Sequence, residues 1–170
     1  MGKNDQGVQG SGQKYRAIPR VLIFLRNEED VLLLLGATEK RIWANKYNGV
    51  GGHVENDEDV LTAAKREVFE ETGLNPRDLV LKAVVNIEAG DPLLGIVMFV
   101  FTAWSELRST RRSYEGELHW IPLADLNKYD LVEDLEWLLP KVLEDNLNSA
   151  PRYLHYHYDA EDRLVIREHS

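Results

Sequence analysis

Glu58, Arg66, Glu67, Glu70 and Glu71 are charged residues of the types and spacing that suit phosphate chemistry. Side chains three and four positions apart on an α-helix share a face, so Glu67, Glu70 and Glu71 project together if this stretch is helical. Like charges so spaced destabilise an isolated helix by roughly a few tenths of a kcal/mol each. A divalent cation reverses that sign. Mg²⁺ is a hard, octahedral ion that takes oxygen ligands and bridges carboxylates to substrate phosphates. Arg66 adjoins Glu67 and can hold a carboxylate in a bidentate pair. Gly51 and Gly52, just upstream, allow a close backbone approach and a bend into the helix. Taken alone, these glutamates with Lys65 and Arg66 equally describe a solvated helix face.

The elements that must position these groups are legible around them. Residues 20–26 (RVLIFLR) and 31–36 (VLLLLG) read as strands joined by a turn over 27–30. Both are apolar on successive positions, which predicts burial on two faces rather than one. A glycine-dense stretch, 47–54, leads into an acidic turn. A helix follows over 58–72, with Leu61, Ala63, Ala64 and Val68 as its apolar side and Gly73 as its stop. Residues 79–87, 94–104 and 118–121 are predicted strands. Residues 131–143 are a second helix that Pro140 would kink or end. Residues 153–158 and 164–167 are a closing hairpin around 159–162. This order predicts an α+β domain with a mixed sheet between helices. Residues 1–16, poor in apolar groups, are expected to form a disordered leader to a single domain over 17–170.

Gly52, Glu58, Arg66, Glu67, Val68, Glu70, Glu71, Gly73 and Leu74 fall at every specified position of Gly-x5-Glu-x7-Arg-Glu-U-x-Glu-Glu-x-Gly-U, where U is bulky and apolar. This resembles the Nudix box. The resemblance implies an α/β/α sandwich and hydrolysis of a diphosphate linkage. It also implies Mg²⁺, or Mn²⁺, held by Glu67, Glu70, Glu71 and a backbone carbonyl at Gly51 or Gly52. Arg66 would orient a glutamate, and Glu58 would anchor the loop–helix–loop. The general base would be Glu67 or Glu70, or a glutamate of a later loop, where Glu115 and Glu117 are the candidates.

Two further stretches resemble the MutT-like branch, which removes oxidised purine triphosphates such as 8-oxo-dGTP. In residues 47–52 (YNGVGG) the resemblance implies that Asn48 contacts a base; an amide offers both donor and acceptor to a purine edge. Asn48-Gly49 equally suits a tight turn. Downstream, Glu133 and Asp134 fall where similar enzymes carry paired acids ahead of a tryptophan, here Trp137. Such a pair can share a proton, although acids also favour a helix N-terminus. The tryptophan of those enzymes two residues before the acids is Leu131 here. A stacking platform would then fall to Trp43, Tyr47, Phe99 or Phe101, residue types that more often sit in a core.

Composition narrows the alternatives. A net charge of −9, with 29 acidic against 20 basic residues, disfavours nucleic-acid binding. It does not exclude a phosphorylated small molecule met through cations. The longest apolar runs are too short to span a membrane, and the absence of cysteine suits a cytoplasm. Within the enzyme class the rivals are ADP-ribose, for which Pro92 is the marker to inspect, dinucleoside polyphosphates, and a lipid diphosphate isomerase. A non-catalytic nucleotide sensor is disfavoured by the intact glutamates, and a homodimer is left open.

Overall fold

A computed structural model describes residues 13–39, 42–111, 113–144 and 150–169; most of the expected leader, 1–12, lies outside them. The described residues form a mixed sheet whose strands run in the order β3-β2-β1-β6-β5-β8-β9. Its hub is β1 (Arg16–Asn27), which begins inside the segment expected to be leader. It lies parallel to β6 (Leu94–Trp104) along its length and turns back on β2 (Asp30–Gly36). It also pairs with β4 (Val50–His53) through Arg20↔His53, Val21↔Gly52 and Leu22↔Gly51. β3 (Tyr47–Asn48) and β7 (Gly116–Pro122) pair with β2. β5 (Arg77–Asp91) joins β6 to β8 (Arg152–Tyr158), and β9 (Leu164–His169) pairs with β8.

The double burial expected of β1 holds. Successive side chains of a strand point to opposite faces. Val21, Ile23 and Leu25 pack on one face with Val50 and with Ala63, Ala64 and Val68 of α1 (Val60–Thr72). Leu22 and Phe24 pack on the other face with Leu135, Leu138, Leu139 and Val142 of α2 (Leu135–Val142). The sheet therefore lies between the helices, as expected. Each fully buried aliphatic side chain contributes about 1.5–3 kcal/mol. Among the described residues no helix is long and apolar enough to cross a membrane.

The boundaries differ from expectation for local reasons. α1 starts at Val60 rather than Glu58, because the Asp59 carboxylate accepts the Leu61 and Thr62 amides at 2.8 and 3.1 Å and so caps the helix. Gly73, at φ 75° with its amide donating to the Phe69 carbonyl, ends it as expected. α2 starts at Leu135 rather than 131. Leu131 and Val132 are held instead beside β3, where the Tyr47 amide donates to Asp130 and the Val132 amide to Tyr47. A 3₁₀ segment, Leu123–Lys128, was not anticipated. Pro140 lies within the last turns of α2, which continues for two residues beyond it.

Candidate active site

β4 ends at His53, and the chain loops to Asp59 before α1, so that Gly52 of β4 lies against Glu67 near the middle of the helix. Arg66 ties the two together. Its Nε and Nη2 donate to the two oxygens of Glu58 at 3.0 and 2.6 Å, and Nη2 also donates to the His53 carbonyl at 2.9 Å. Its Nη1 donates to Glu67 at 2.8 Å and to Glu70 at 3.1 Å. Glu58 also accepts the Glu55 amide, and with Arg66 this holds its carboxyl below the usual range. Arg66, raised further by Glu58 and then by Glu67, stays cationic throughout. Glu67 is pushed up: burial disfavours its charge, Arg66 opposes that effect, and Glu70 and Glu115 add to it.

The structure thus gathers Glu67 and Glu70 around one guanidinium. Glu71, only 7% exposed, sits on the buried side of the helix. Among the described residues no three acidic or imidazole groups converge as a ready cation cage. The donor set is nonetheless all hard oxygen, which fits Mg²⁺ or Mn²⁺ rather than a softer ion. A second observation bears on the fit. A Cβ added to Gly52 would stand 2.4 Å from Glu67 Oε1, so the Glu67 carboxylate lies against bare backbone.

Gly52→Ala is therefore expected to keep the fold, because the obstructing atoms are the far end of one flexible side chain. The glutamate must move by about an ångström, and displacement on that scale costs about 100-fold in rate. Hydrolysis should fall by that factor with circular dichroism unchanged. Full activity in the variant would show that Glu67 need not occupy this position.

Above the box lies a cavity of about 240 Å³ lined by Gly49, Gly51, Gly52, His53, Lys46 and Glu115 among others. It shares Arg20, Leu22, Asn48 and Met98 with a larger cavity of about 660 Å³. The larger one collects Asn48, Glu133 and Asp134, residues far apart in sequence. Asn48 is a strand residue, not part of the tight turn that Asn-Gly suggests; its Oδ1 accepts the Gly49 amide at 2.8 Å. Gly49 is required by contact, since a Cβ there would meet Phe24, Ile23 and Leu22 within 3 Å. Asp134 stands at the N-terminus of α2 but makes no side-chain cap bond. It faces the cavity instead, with its carboxyl pushed up to about 6 by burial and by the Glu133 charge. The buried Tyr156 hydroxyl is close enough to couple electrostatically to Asp134, although their geometry falls short of a hydrogen bond.

The two later glutamates separate. Glu115, whose carbonyl accepts the Ala37 amide, reaches the smaller cavity and acts on Glu67 through its charge. Glu117 points away, 3.6 Å from His119. Of the aromatic candidates, Phe101 is core, Phe99 packs against it, and Tyr47 donates to or accepts from His119 at 2.7 Å. Trp43 is not core: it is 47% exposed and lines both cavities. Trp137 lies under the Lys141 ammonium. Pro92 stands in the β5–β6 turn. Arg20 and Tyr156 were missed altogether. Arg20 carried a signal, being the one charged residue in the alternating series Ile18, Arg20, Leu22, Phe24.

Residues 16–145 match the NUDIX domain family. The oxidized purine nucleoside triphosphate hydrolase of Mus musculus is 30% identical over 134 residues, which cover 78% of this chain and 83% of that protein. Among solved structures, the mutator MutT protein of Bacillus halodurans matches with a TM-score of 0.72 at 23% identity, over 89% of this chain and 97% of that one. The MutT protein of Methanosarcina mazei Go1 matches with a TM-score of 0.63 at 29% identity, over 80% and 99%.

Proposed function

Because the chain belongs to the Nudix hydrolase family, we propose that it hydrolyses an oxidised purine nucleoside triphosphate such as 8-oxo-dGTP, releasing the monophosphate and pyrophosphate. One observation carries the substrate assignment: a cavity roomy enough for a nucleoside, holding Asn48, Glu133 and Asp134, shares its wall with the smaller cavity over Gly52 and Glu115. The mouse relative's name supports the same class.

Glu67, Glu70, Glu71 and the Gly52 carbonyl would hold a divalent cation. When bound, such an ion neutralises the diphosphate and lowers the pKa of a coordinated water. Arg66 fixes the rotamers of Glu67 and Glu70 through its Nη1 hydrogen bonds. Glu58 fixes Arg66 in turn, so the loop and the helix move as one unit. The proton of the attacking water goes to a carboxylate at this rim, either Glu67 or Glu70 of the helix or Glu115 of the loop before β7. In the larger cavity the Asn48 amide and the Asp134–Glu133 pair read the purine edge. An aspartic acid titrating near neutrality can donate as well as accept. Trp43, at the cavity edge, is the platform on which the base stacks.

The test is a panel of 8-oxo-dGTP, dGTP, dATP, ADP-ribose and a dinucleoside tetraphosphate, each with Mg²⁺. Released monophosphate, pyrophosphate and phosphate are followed. Preferred release of monophosphate and pyrophosphate from 8-oxo-dGTP is the expected result. A preference for ADP-ribose or the dinucleotide overturns the substrate assignment while leaving the diphosphatase chemistry in place.

A further inference from the structure

Arg20 lies where the two cavities meet and lines both. On β1 it pairs with His53 of β4 on one side and with Met98 of β6 on the other. It therefore sits beside the strand end whose His53 carbonyl accepts from Arg66 of α1, yet on the sheet face that also bears Leu22. Its surroundings in the larger cavity are acidic: Glu88, Glu133, Asp134 and Asp162 line the same space. Among the described residues Arg20 is the only lysine or arginine that does so. Despite that company, no ion pair among the described residues joins it to any of them. Its Nε is buried and meets no acceptor among the described residues.

A guanidinium is a donor-only group whose planar fork matches a phosphate, and leaving a buried donor unmet is costly. The position thus calls for an anionic acceptor supplied from outside the chain. The position also indicates which anion. If a base lies among Asn48, Glu133 and Asp134 and the scissile linkage lies over Gly52, the group passing Arg20 joins the two. That group is the sugar with the phosphate it carries, and of these only the phosphate is charged.

We propose that Arg20 binds the non-bridging oxygens of the phosphate attached to the nucleoside. It thereby makes the site selective for phosphorylated nucleosides over free ones, and it offsets the carboxylates that would otherwise repel the substrate. The assignment rests on the oxidised-purine reading of the larger cavity.

The experiment titrates 8-oxo-deoxyguanosine and its 5′-monophosphate into the full chain by calorimetry, once in Mg²⁺ and once in EDTA. The same titrations follow for Arg20→Gln and Arg20→Lys. The unaltered protein is expected to bind the monophosphate about 10- to 100-fold more tightly than the nucleoside, the range of a charge-assisted hydrogen bond. Arg20→Gln should bind the two alike, with nucleoside affinity unchanged, and Arg20→Lys should recover part of the preference through its charge. A purely structural role would weaken both ligands equally, and that result overturns the proposal. So does an unchanged preference in Arg20→Gln, which leaves the substrate reading standing. If the unaltered protein binds neither ligand, the substrate reading itself has failed and the assignment falls with it.

Discussion

Glu67→Gln is expected to lower kcat on the order of 1,000-fold, in the middle of the range for removing a group that activates or transfers a proton, while raising the Tm of the metal-free protein. The two effects have one cause. Glu67 is held against the bare backbone of Gly52 and largely withdrawn from water, with the charges of Glu70 and Glu115 near it. Burial outweighs the stabilising bond from Arg66, so the charged form is disfavoured in the folded state and glutamine removes a cost. Arg66 is not orphaned by the change, because Glu58 and Glu70 still accept its hydrogen bonds. The proposed binding of a divalent cation and the reacting water would account for a charge kept at a site where it weakens the fold. Thermal melts with increasing Mg²⁺ separate the contributions. The unaltered protein should gain stability as RT ln(1 + [Mg²⁺]/Kd), and the variant should gain little. A variant that is less stable without metal, or that still responds fully to Mg²⁺, would contradict this account of Glu67.

Much of this site was readable in the sequence because a helix converts spacing into direction. Glu67 and Glu70 meet at Arg66 as helical spacing implied, Glu58 joins them from the preceding loop as the resemblance implied, and Gly73 ends the helix where its freedom at positive φ is needed. Glu71 shows the limit of that logic. It shares a stripe with Glu67, but it turns towards the sheet, and periodicity alone does not say how far the apolar face extends. The second helix was drawn too long because Leu131 and Val132 suit a helix equally well, and only the β3 partner Tyr47 decides otherwise. Trp43 was misjudged for a similar reason. Residues 37–46 have no period, so nothing in that segment says which side faces the protein. Glu115 and Glu117 part because β7 begins between them at Gly116, a boundary that the residue types do not mark. Where a side chain's surroundings come from distant segments, as for Arg20, Asp134 and Tyr156, local pattern carries little information.

Asp134→Asn should make the protein more stable at pH 7.5 by about 3 kcal/mol, with the gain vanishing in acid. The sign follows from linkage. The ordinary aspartate value is 3.8, and in the folded chain burial and Glu133 raise it to about 6. Below pH 4 both states are protonated and the residue contributes no difference. Between about 4 and 6 the folded state binds more protons than the unfolded one, so stability falls as pH rises. Above 6 the full cost of the buried carboxylate is present, at about 1.4 kcal/mol per pKa unit. Urea unfolding of both proteins at pH 5, 6 and 7.5 checks this: the curves should diverge across that window and run parallel above it. The same titration bears on recognition. If a base is read by Asp134 in its protonated form, KM for 8-oxo-dGTP should rise through pH 6 in the unaltered enzyme. It should stay flat in the variant, whose amide donates and accepts at every pH. A stability difference without a KM difference would place Asp134 in the cavity wall but not in contact with the base. The burden of discrimination would then fall on Asn48 and Glu133.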